Sequence, residues 1–297
     1  GLDLWLDSRV RRDAGVISHA HSDHVAPNRV SVLSPGTLRL LHPFNTQPRP
    51  LAFGETLSTE RYTLSLHPAG HVLGSAQALV QSHVDGERIL YTGDFKAWPN
   101  PAAEPLEPVQ CDTLIMEATY GRQHYTFPSE GEVLARGFSL LREWLASGHT
   151  PVVLGYRVGK AQELLHHLLR AGFSVAVEPA TYQVARAYEE LGVVFPGPYR
   201  SYDGTPRDGE VLLFPPSAKR TGLLDGIPRR KLLMFTGWAL NRHAPQTYGV
   251  DMALPMSDHA DFPRLVEYVK RVGAKRVFTV HGFSDLAAHL RNLGYDA

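Results

Sequence analysis

"SHAHSDH", residues 18–24, puts three histidines and one aspartate into seven consecutive positions. It grows out of "AGVIS" (14–18), a short apolar run that reads as a strand. If the chain stays extended, His19, His21 and Asp23 project to one side, because side chains alternate with period two, and His24 must come from a turn. Neutral imidazoles and carboxylates suit zinc, and also manganese or iron, and this spacing offers enough donors for two ions. A histidine-rich surface loop or a purification-tag remnant is the bland alternative. The string is embedded in the strand pattern, which argues against both.

The rest of the chain frames that motif. Its 297 residues are 43% hydrophobic without a low-complexity tract, enough for one large domain or two modest ones. Thirty basic residues balance thirty acidic ones, so any contact with a polyanion must be local. The single cysteine, Cys111, has no intrachain disulfide partner. The first ten residues, "GLDLWLDSRV", lack the apolar core of a signal peptide, and Gly1 reads as a tag remnant. No apolar run reaches the roughly 18 residues of a membrane span, so the expectation is a soluble cytoplasmic protein.

Residues 2–121 read as short strands: "DLWLD", "AGVIS", "YTLSLHPAG", "SAQALVQSHV", "RILYTGDF" and "DTLIMEATYG". After Pro128 the period changes. "SEGEVLARGFSLLREWLASG" has capping signals and the i, i+3, i+4 spacing of an amphipathic helix. Strands and helices then alternate through "PVVLGY", "KAQELLHHLLRAG", "FSVAVEP", "ATYQVARAYEELG", "EVLLFPP" and "KLLMFTG", which predicts a parallel sheet covered by helices. Past residue 243 come "MALPMSDHADF", the helix "PRLVEYVKRVG", the strand "AKRVFTVHG" and a last helix, "SDLAAHLRNLG".

Two further strings carry ligand types. "HPAGHVLGSAQ" supplies His71, and "ILYTGDF" ends a strand with Asp94 after a glycine. A carboxylate so placed can bridge two cations about 4 Å apart. Either string alone is weak, since a histidine in a glycine-rich loop or an aspartate after glycine is usually structural. Together with residues 19–24 they become a set.

"HAHSDH", "GHVLGS" and "YTGDF", in that order, resemble the metallo-β-lactamase superfamily. "LIMEATYG" (114–121), "GYRVGKAQELL" (155–165), "MSDHADF" (256–262) and "VHG" (280–282) extend the resemblance to the β-CASP nucleases, in which a second lobe is inserted into the core. "PPSA" (215–218), "GW" (237–238) and "SDHAD" (257–261) are most similar to bacterial exonucleases associated with ATP-dependent DNA ligases. The resemblance covers nearly the whole chain. It implies an α/β protein, a metallo-β-lactamase αββα sandwich from residues 1–122 and 243–297 with an inserted α/β β-CASP lobe at 123–242.

The resemblance also implies roles. His19, His21 and His71 would hold one metal, Asp23, His24 and His281 a second, with Asp94 bridging; the cofactors would be two divalent ions, zinc or alternatively manganese. Two such ions bring a bound water's pKa near neutrality and neutralise charge on the transferring phosphoryl group. Asp23, Glu117 and His259 form the catalytic set. His259 would be the general acid or phosphate-oxygen donor, with Glu117 orienting its imidazole. The bland alternatives are that His259 caps the helix starting near Pro263 and that Glu117 is a structural strand-end residue.

His281 bears on substrate. Family members acting on DNA often carry an aliphatic residue there and RNA-processing members a histidine, yet the ligase-associated subgroup also tends to have histidine before glycine. The longer subgroup strings favour DNA. The remaining histidines, His42, His67, His83, His124, His149, His166, His167, His243 and His289, read as surface or packing residues, with His67 and His124 nearest the ligand strings.

"GYRVGKA" is not an ATP-binding loop: three residues separate its glycines where four are needed, and Ala161 stands where the magnesium-binding hydroxyl would be. The helix that Gly159 and Lys160 begin could instead meet a substrate phosphate between lobes, with an exposed helix start as the plain alternative. Basic clusters at Arg9, Arg11 and Arg12, at Lys219 and Arg220, and at Arg229, Arg230 and Lys231 could follow a nucleic-acid backbone if they share a face. Tyr120, Tyr125, Phe127, Tyr156 and Trp238 could stack on bases. Tyr120, Lys160 and Ser217 are the substrate-binding candidates, Ser217 through a terminal phosphate.

The sequence thus predicts a metal-dependent DNA exonuclease in repair, preferring single strands or ends, with a functional link to a DNA ligase and a helicase. RNA processing at the same site and small-molecule hydrolysis are its rivals. A silent binding module would be expected to have lost ligands, and all seven positions are filled.

Overall fold

The computed structural model describes residues 3–41 and 47–297, so Gly1 and His42 lie outside the described residues. The chain forms two compact units. Gly1–Thr126 joins His259–Ala297 in one, and Phe127–Asp258 makes the other.

The first unit opens with β1 (Trp5–Leu6), β2 (Ala14–Val16), β3 (Val30–Leu33) and, after the helix α1 (Pro35–Leu40), β4 (Gln47–Pro50); these pair in that order as a parallel sheet. Ser34 caps α1 by accepting from the Thr37 amide, and Pro35 occupies the first turn, where its missing N–H costs nothing. Next come β5 (Thr56–Ser58), β6 (Tyr62–Pro68), β7 (Ala76–Ser82), β8 (Arg88–Tyr91) and β9 (Thr113–Glu117). β5 to β8 pair antiparallel in sequence, and β9 adds parallel to β8.

In the second unit, α2 (Glu130–Ala146), β10 (Thr150–Leu154), α3 (Lys160–Arg170), β11 (Ser174–Val177), α4 (Pro179–Glu190), β12 (Tyr199–Ser201), β13 (Glu210–Phe214), β14 (Arg230–Phe235), α5 (Ala244–Tyr248) and β15 (Met252–Leu254) follow. Their six strands form one all-parallel sheet in the order β12-β11-β13-β10-β14-β15. The sheet therefore runs past residue 242, because β15 pairs with β14. β13 is buried along its whole length, as parallel strands covered on both faces are.

The chain then returns to the first unit through α6 (Phe262–Val272), β16 (Arg276–Val280) and α7 (Asp285–Asn292). β16 pairs parallel with β9 and completes the mixed sheet β16-β9-β8-β7-β6-β5. Period two places its side chains. Ala78 and Val80 of β7 pack with Val16 and Val32 of the parallel sheet, while Leu79 between them joins Leu114, Leu265, Val269 and Leu286 beneath α6 and α7. The result is the expected layered sandwich. Each fully buried leucine contributes roughly 1.5–3 kcal/mol relative to exposure.

Among the described residues no helix is long and apolar enough to cross a membrane.

Candidate metal centre

In the mixed sheet β6, β8, β9 and β16 all run the same way, since β6 and β8 are each antiparallel to β7. Their C-terminal ends therefore share one edge, and each end delivers a polar group: the loop after β6 carries His71, that after β8 Asp94, β9 ends on Glu117, and His281 follows β16. The segment after β2 contributes His19 and His21, held to this edge by the bond from the Ala76 amide to the Ser18 carbonyl (2.8 Å). Gly93, at φ 55°, lies so close to Ser18 that a Cβ would sit 2.7 Å from its side chain. Only glycine lets Asp94 follow in that position.

The groups converge. Ligand atoms of His19, His21, His71 and Asp94 all lie within 4.8 Å of one another. His21 Nδ1 is 3.0 Å from His19 Nε2 and 3.2 Å from His71 Nε2. Asp94 Oδ2 lies 3.3 Å from His24 Nε2, 3.6 Å from His19 Nε2 and 3.9 Å from His71 Nε2. The extended run expected through Asp23 stops at His21, because Ser22–His24 forms a 3-10 turn. That turn brings His24 inward and leaves the Asp23 side chain 68% exposed, its Oδ2 3.8 Å from His24 Nε2. The His281 ring lies tilted 43° to that of His24, centroids 5.1 Å apart, and the residue takes a left-handed φ of 52°. The next residue must be glycine, since a Cβ on Gly282 would meet the Ala118 carbonyl oxygen at 1.8 Å.

Asp7, which the sequence reading missed, organises this cluster. Its buried carboxylate accepts from the Ser18 amide (2.7 Å), the Ser18 hydroxyl (2.5 Å), the Tyr91 hydroxyl (2.9 Å) and His24 Nδ1 (2.7 Å). The only available signal was an aspartate in a left-handed conformation at a strand end, which sequence does not display. Its consequence is tautomeric. Ser18 spends its proton on Asp7 and so accepts from His19 Nδ1 (2.9 Å), which leaves the lone pair of His19 on Nε2, facing Asp94.

Electrostatics agree with a cation-binding cluster. Burial, with His21 and His71 alongside, holds the His19 imidazole well below its usual range and hence neutral. Burial would lower His24 too, but the hydrogen bonds to Asp7 and Asp94 push it up to about 10. Burial would raise the Asp94 carboxyl, yet the His24 hydrogen bond and the nearby His259, His19 and His71 hold it well below the carboxylate range. Asp94 Oδ1 is buried and has no hydrogen-bond partner. An unsatisfied carboxylate oxygen among imidazole lone pairs is costly without a positive charge, and the donor set is the one divalent metals take. The residues therefore fit divalent metal ions.

Beside Asp94 stands a second pair. His259 Nδ1 is 3.0 Å from both oxygens of the fully buried Glu117, whose Oε1 also accepts from the Phe95 amide at 2.8 Å. Asp94, Glu117 and His259 offer ligand atoms within 4.8 Å of one another. The cap of α6 is Asp261, accepting from the Arg264 amide, so helix capping does not explain His259. Tyr120 is buried with its ring centroid 6.1 Å from that of His259.

Two of the remaining candidates, Lys160 and Ser217, belong to the second unit. Lys160 is not an exposed helix start: it is 1% exposed, with Nζ 3.2 Å from Glu163 and 3.8 Å from Asp258. Ser217 lies exposed in a 3-10 turn, Pro216–Lys219, of the second unit. Several basic residues are already engaged: Arg229 donates to the Ser147 carbonyl (2.8 Å), Lys231 to Asp251 (2.7 Å), and Arg12 lies over the Trp5 ring. His67 bridges Ser65 and Glu107 at 3.0 Å each, a structural link.

No protein-family model matches the chain. It is 39% identical, over its full length, to a protein of Opitutus terrae described as "Probable DNA ligase", of which it covers 29%. It is 29% identical to the 5′ exonuclease Apollo of Gallus gallus over 91% of this chain and 59% of that protein. An RNase J-like protein of Methanocaldococcus jannaschii is 26% identical over 54% of this chain and 45% of its own length. The chain thus spans between 29% and 59% of the length of these relatives.

Proposed function

We propose, from the premise that this chain belongs to the β-CASP branch of the metallo-β-lactamase superfamily, that it is a metal-dependent nuclease hydrolysing phosphodiester bonds of DNA. It acts as an exonuclease on single-stranded or end-containing substrates. The reading rests on one observation: His19, His21, His71 and Asp94 meet at a sheet edge with the Glu117–His259 pair beside them.

His19, His21 and His71 would hold one ion, Asp23, His24 and His281 the other, with Asp94 between, zinc being the first choice and manganese the second. When bound, divalent cations there supply Lewis-acid stabilisation of the phosphoryl oxygens and an acidified nucleophilic water. The chain's own residues do the rest. Asp7 and Ser18 fix the imidazoles of His24 and His19 so that Nε2 of each faces Asp94. Glu117 accepts the hydrogen bond from Nδ1 of His259, so that Nε2 is the nitrogen presented to the departing oxygen, and its carboxylate favours the charged, proton-donating imidazole. Tyr120 backs that ring, and Asp23 adds a second carboxylate.

The DNA preference, a repair setting and a link to a ligase and a helicase follow the sequence resemblance; the Opitutus terrae relative described as a probable DNA ligase supports the ligase link, and Apollo, a 5′ exonuclease, supports the exonuclease reading. His281 beside His24 and the RNase J-like relative favour RNA processing as the second reading. Matched end-labelled DNA and RNA strands, incubated with zinc or manganese, separate the two. Stepwise shortening of DNA supports the first; faster turnover of RNA replaces it with the second. Thioester or lactam turnover exceeding both would make the chain a small-molecule hydrolase.

A further inference from the structure

The second unit contains a cavity of about 660 Å³ that shares no residue with the histidine cluster. Leu154 ends β10, and Met234 and Pro215 lie at the ends of β14 and β13, so the cavity opens at the carboxyl ends of three adjacent parallel strands. Open parallel sheets place ligands at such ends. Its polar wall is cationic: Arg157, Lys219 and Arg220 line it, and no acidic residue does. Elsewhere in this unit Arg200, Arg230 and Lys231 are each paired to a carboxylate. Arg157 and Arg220 have no such pair among the described residues.

The loops carrying these cations are held in place. The Tyr156 carbonyl accepts from the Ala161 amide (2.9 Å) and the Arg157 carbonyl from the Gln162 side chain (3.0 Å). The Ser217 carbonyl accepts from the Arg220 amide (2.9 Å), and Lys219 donates to the Tyr248 carbonyl. Beside them Tyr156 leaves 49% of its surface exposed. A rigid cationic wall with an accessible phenol ring is chemistry for a phosphate joined to a flat base. Guanidinium forks take phosphate oxygens in pairs, and bases stack on aromatic faces. The volume lies within the range of pockets for whole small molecules and far exceeds the needs of a lone phosphate.

We propose that this cavity binds a phosphate-bearing nucleotide unit, with Arg157 and Arg220 on the phosphate and Tyr156 on the base. Such a unit is presented either by a free mononucleotide or by a nucleic-acid strand. Presented by a strand, the unit belongs to the substrate of the proposed nuclease and that arm of the inference rests on the nuclease reading; presented by a free mononucleotide it does not, and binding to metal-stripped protein is read separately from cleavage.

The test uses the chelator-treated 297-residue chain, in which turnover is suppressed, and titrates inorganic phosphate, dAMP and a short oligodeoxynucleotide by calorimetry. Arg157→Gln, Arg220→Gln and Tyr156→Ala are compared with the parent, with thermal melts confirming that each folds. Each arginine variant is expected to weaken binding by about tenfold or more, the loss of a charge-assisted pair. Tyr156→Ala is expected to weaken dAMP or the oligonucleotide and leave phosphate unchanged. Parallel losses for dAMP identify a free nucleotide as a ligand; losses confined to the oligonucleotide identify a strand. Unchanged affinities in folded arginine variants, or inorganic phosphate binding as tightly as dAMP, would overturn the proposal.

Discussion

Asp7 Oδ2 accepts a hydrogen bond from His24 Nδ1 at 2.7 Å, a buried contact between the residue that follows β1 and the 3-10 turn that follows β2. The same carboxylate satisfies Ser18 and Tyr91, so one side chain sets the orientation of two imidazoles. Substituting Asp7→Ala leaves buried donors without acceptors, at about 1–3 kcal/mol each. Metal affinity should fall about 10- to 100-fold, as when other outer partners of metal-binding histidines are lost. Asp7→Asn, of the same shape, should keep more stability than affinity. Metal content by elemental analysis, read beside melting curves, checks this; unchanged loading in folded Asp7→Asn would remove Asp7 from the site.

Asp94 is the point on which His19, His24 and His71 all bear, and its second oxygen has no partner. Asp94→Ala should abolish strand cleavage and lower metal content. Because the surrounding imidazoles hold the Asp94 carboxyl well below its usual range and it pairs with His24, the metal-stripped variant should melt below metal-stripped parent near pH 7. Turnover at the parental rate would contradict the bridging role directly.

His24 ties metal loading to pH. In metal-free protein its pKa is raised from 6.5 to about 10, so protonated His24 contributes stability in full below pH 6.5 and loses it as pH rises through about 10. A ligating imidazole must be neutral, so loading near pH 7 has to expel that proton. Calorimetric titration of zinc in buffers of different ionisation enthalpy should show proton release near pH 7 in the parent and less in His24→Gln. Heats independent of the buffer would mean that His24 is neutral before metal arrives.

Glu117 and His259 should separate from the ligands by their phenotype. His259→Ala is expected to retain metal yet lose about a hundredfold to ten-thousandfold in rate, the usual contribution of a general acid. Glu117→Gln should keep the Phe95 contact while loosening the hold on the His259 ring, so the rate should fall with metal retained. Loss of metal in His259→Ala would reassign it as a ligand.

How far the sequence displays this site depends on what each residue's geometry requires. Period two and apolar runs reveal β6, β7, β8, β9 and β16, and ligands at strand ends are visible because strand ends are. β3, β5 and β12 are short and were not expected, and β4, "QPRP", is fully exposed with two prolines, a composition that argues against a strand. Asp7 escaped because its role depends on the fold bringing Ser18, His24 and Tyr91 around it. The 68% exposure of the Asp23 side chain is not legible from alternation, because three residues of 3-10 turn interrupt the run that alternation alone would continue.

Lys160 makes the sharpest contrast between position and role. From sequence it is a helix-start lysine suited to a phosphate; in the fold its ammonium is buried between Glu163 and Asp258. Burial would lower its pKa, but Asp258 and Glu163 raise it, so the charge is retained and internally matched. Breaking such a pair from one side leaves buried carboxylates uncompensated, at about 3–5 kcal/mol. Lys160→Met should therefore lower the melting temperature markedly, while Lys160→Arg, if it fits, recovers part of the loss. KM for a nucleic-acid strand should be unchanged in whatever fraction stays folded. A stable Lys160→Met protein with a raised KM would instead return this lysine to the substrate, and with it the phosphate-binding reading of the helix start.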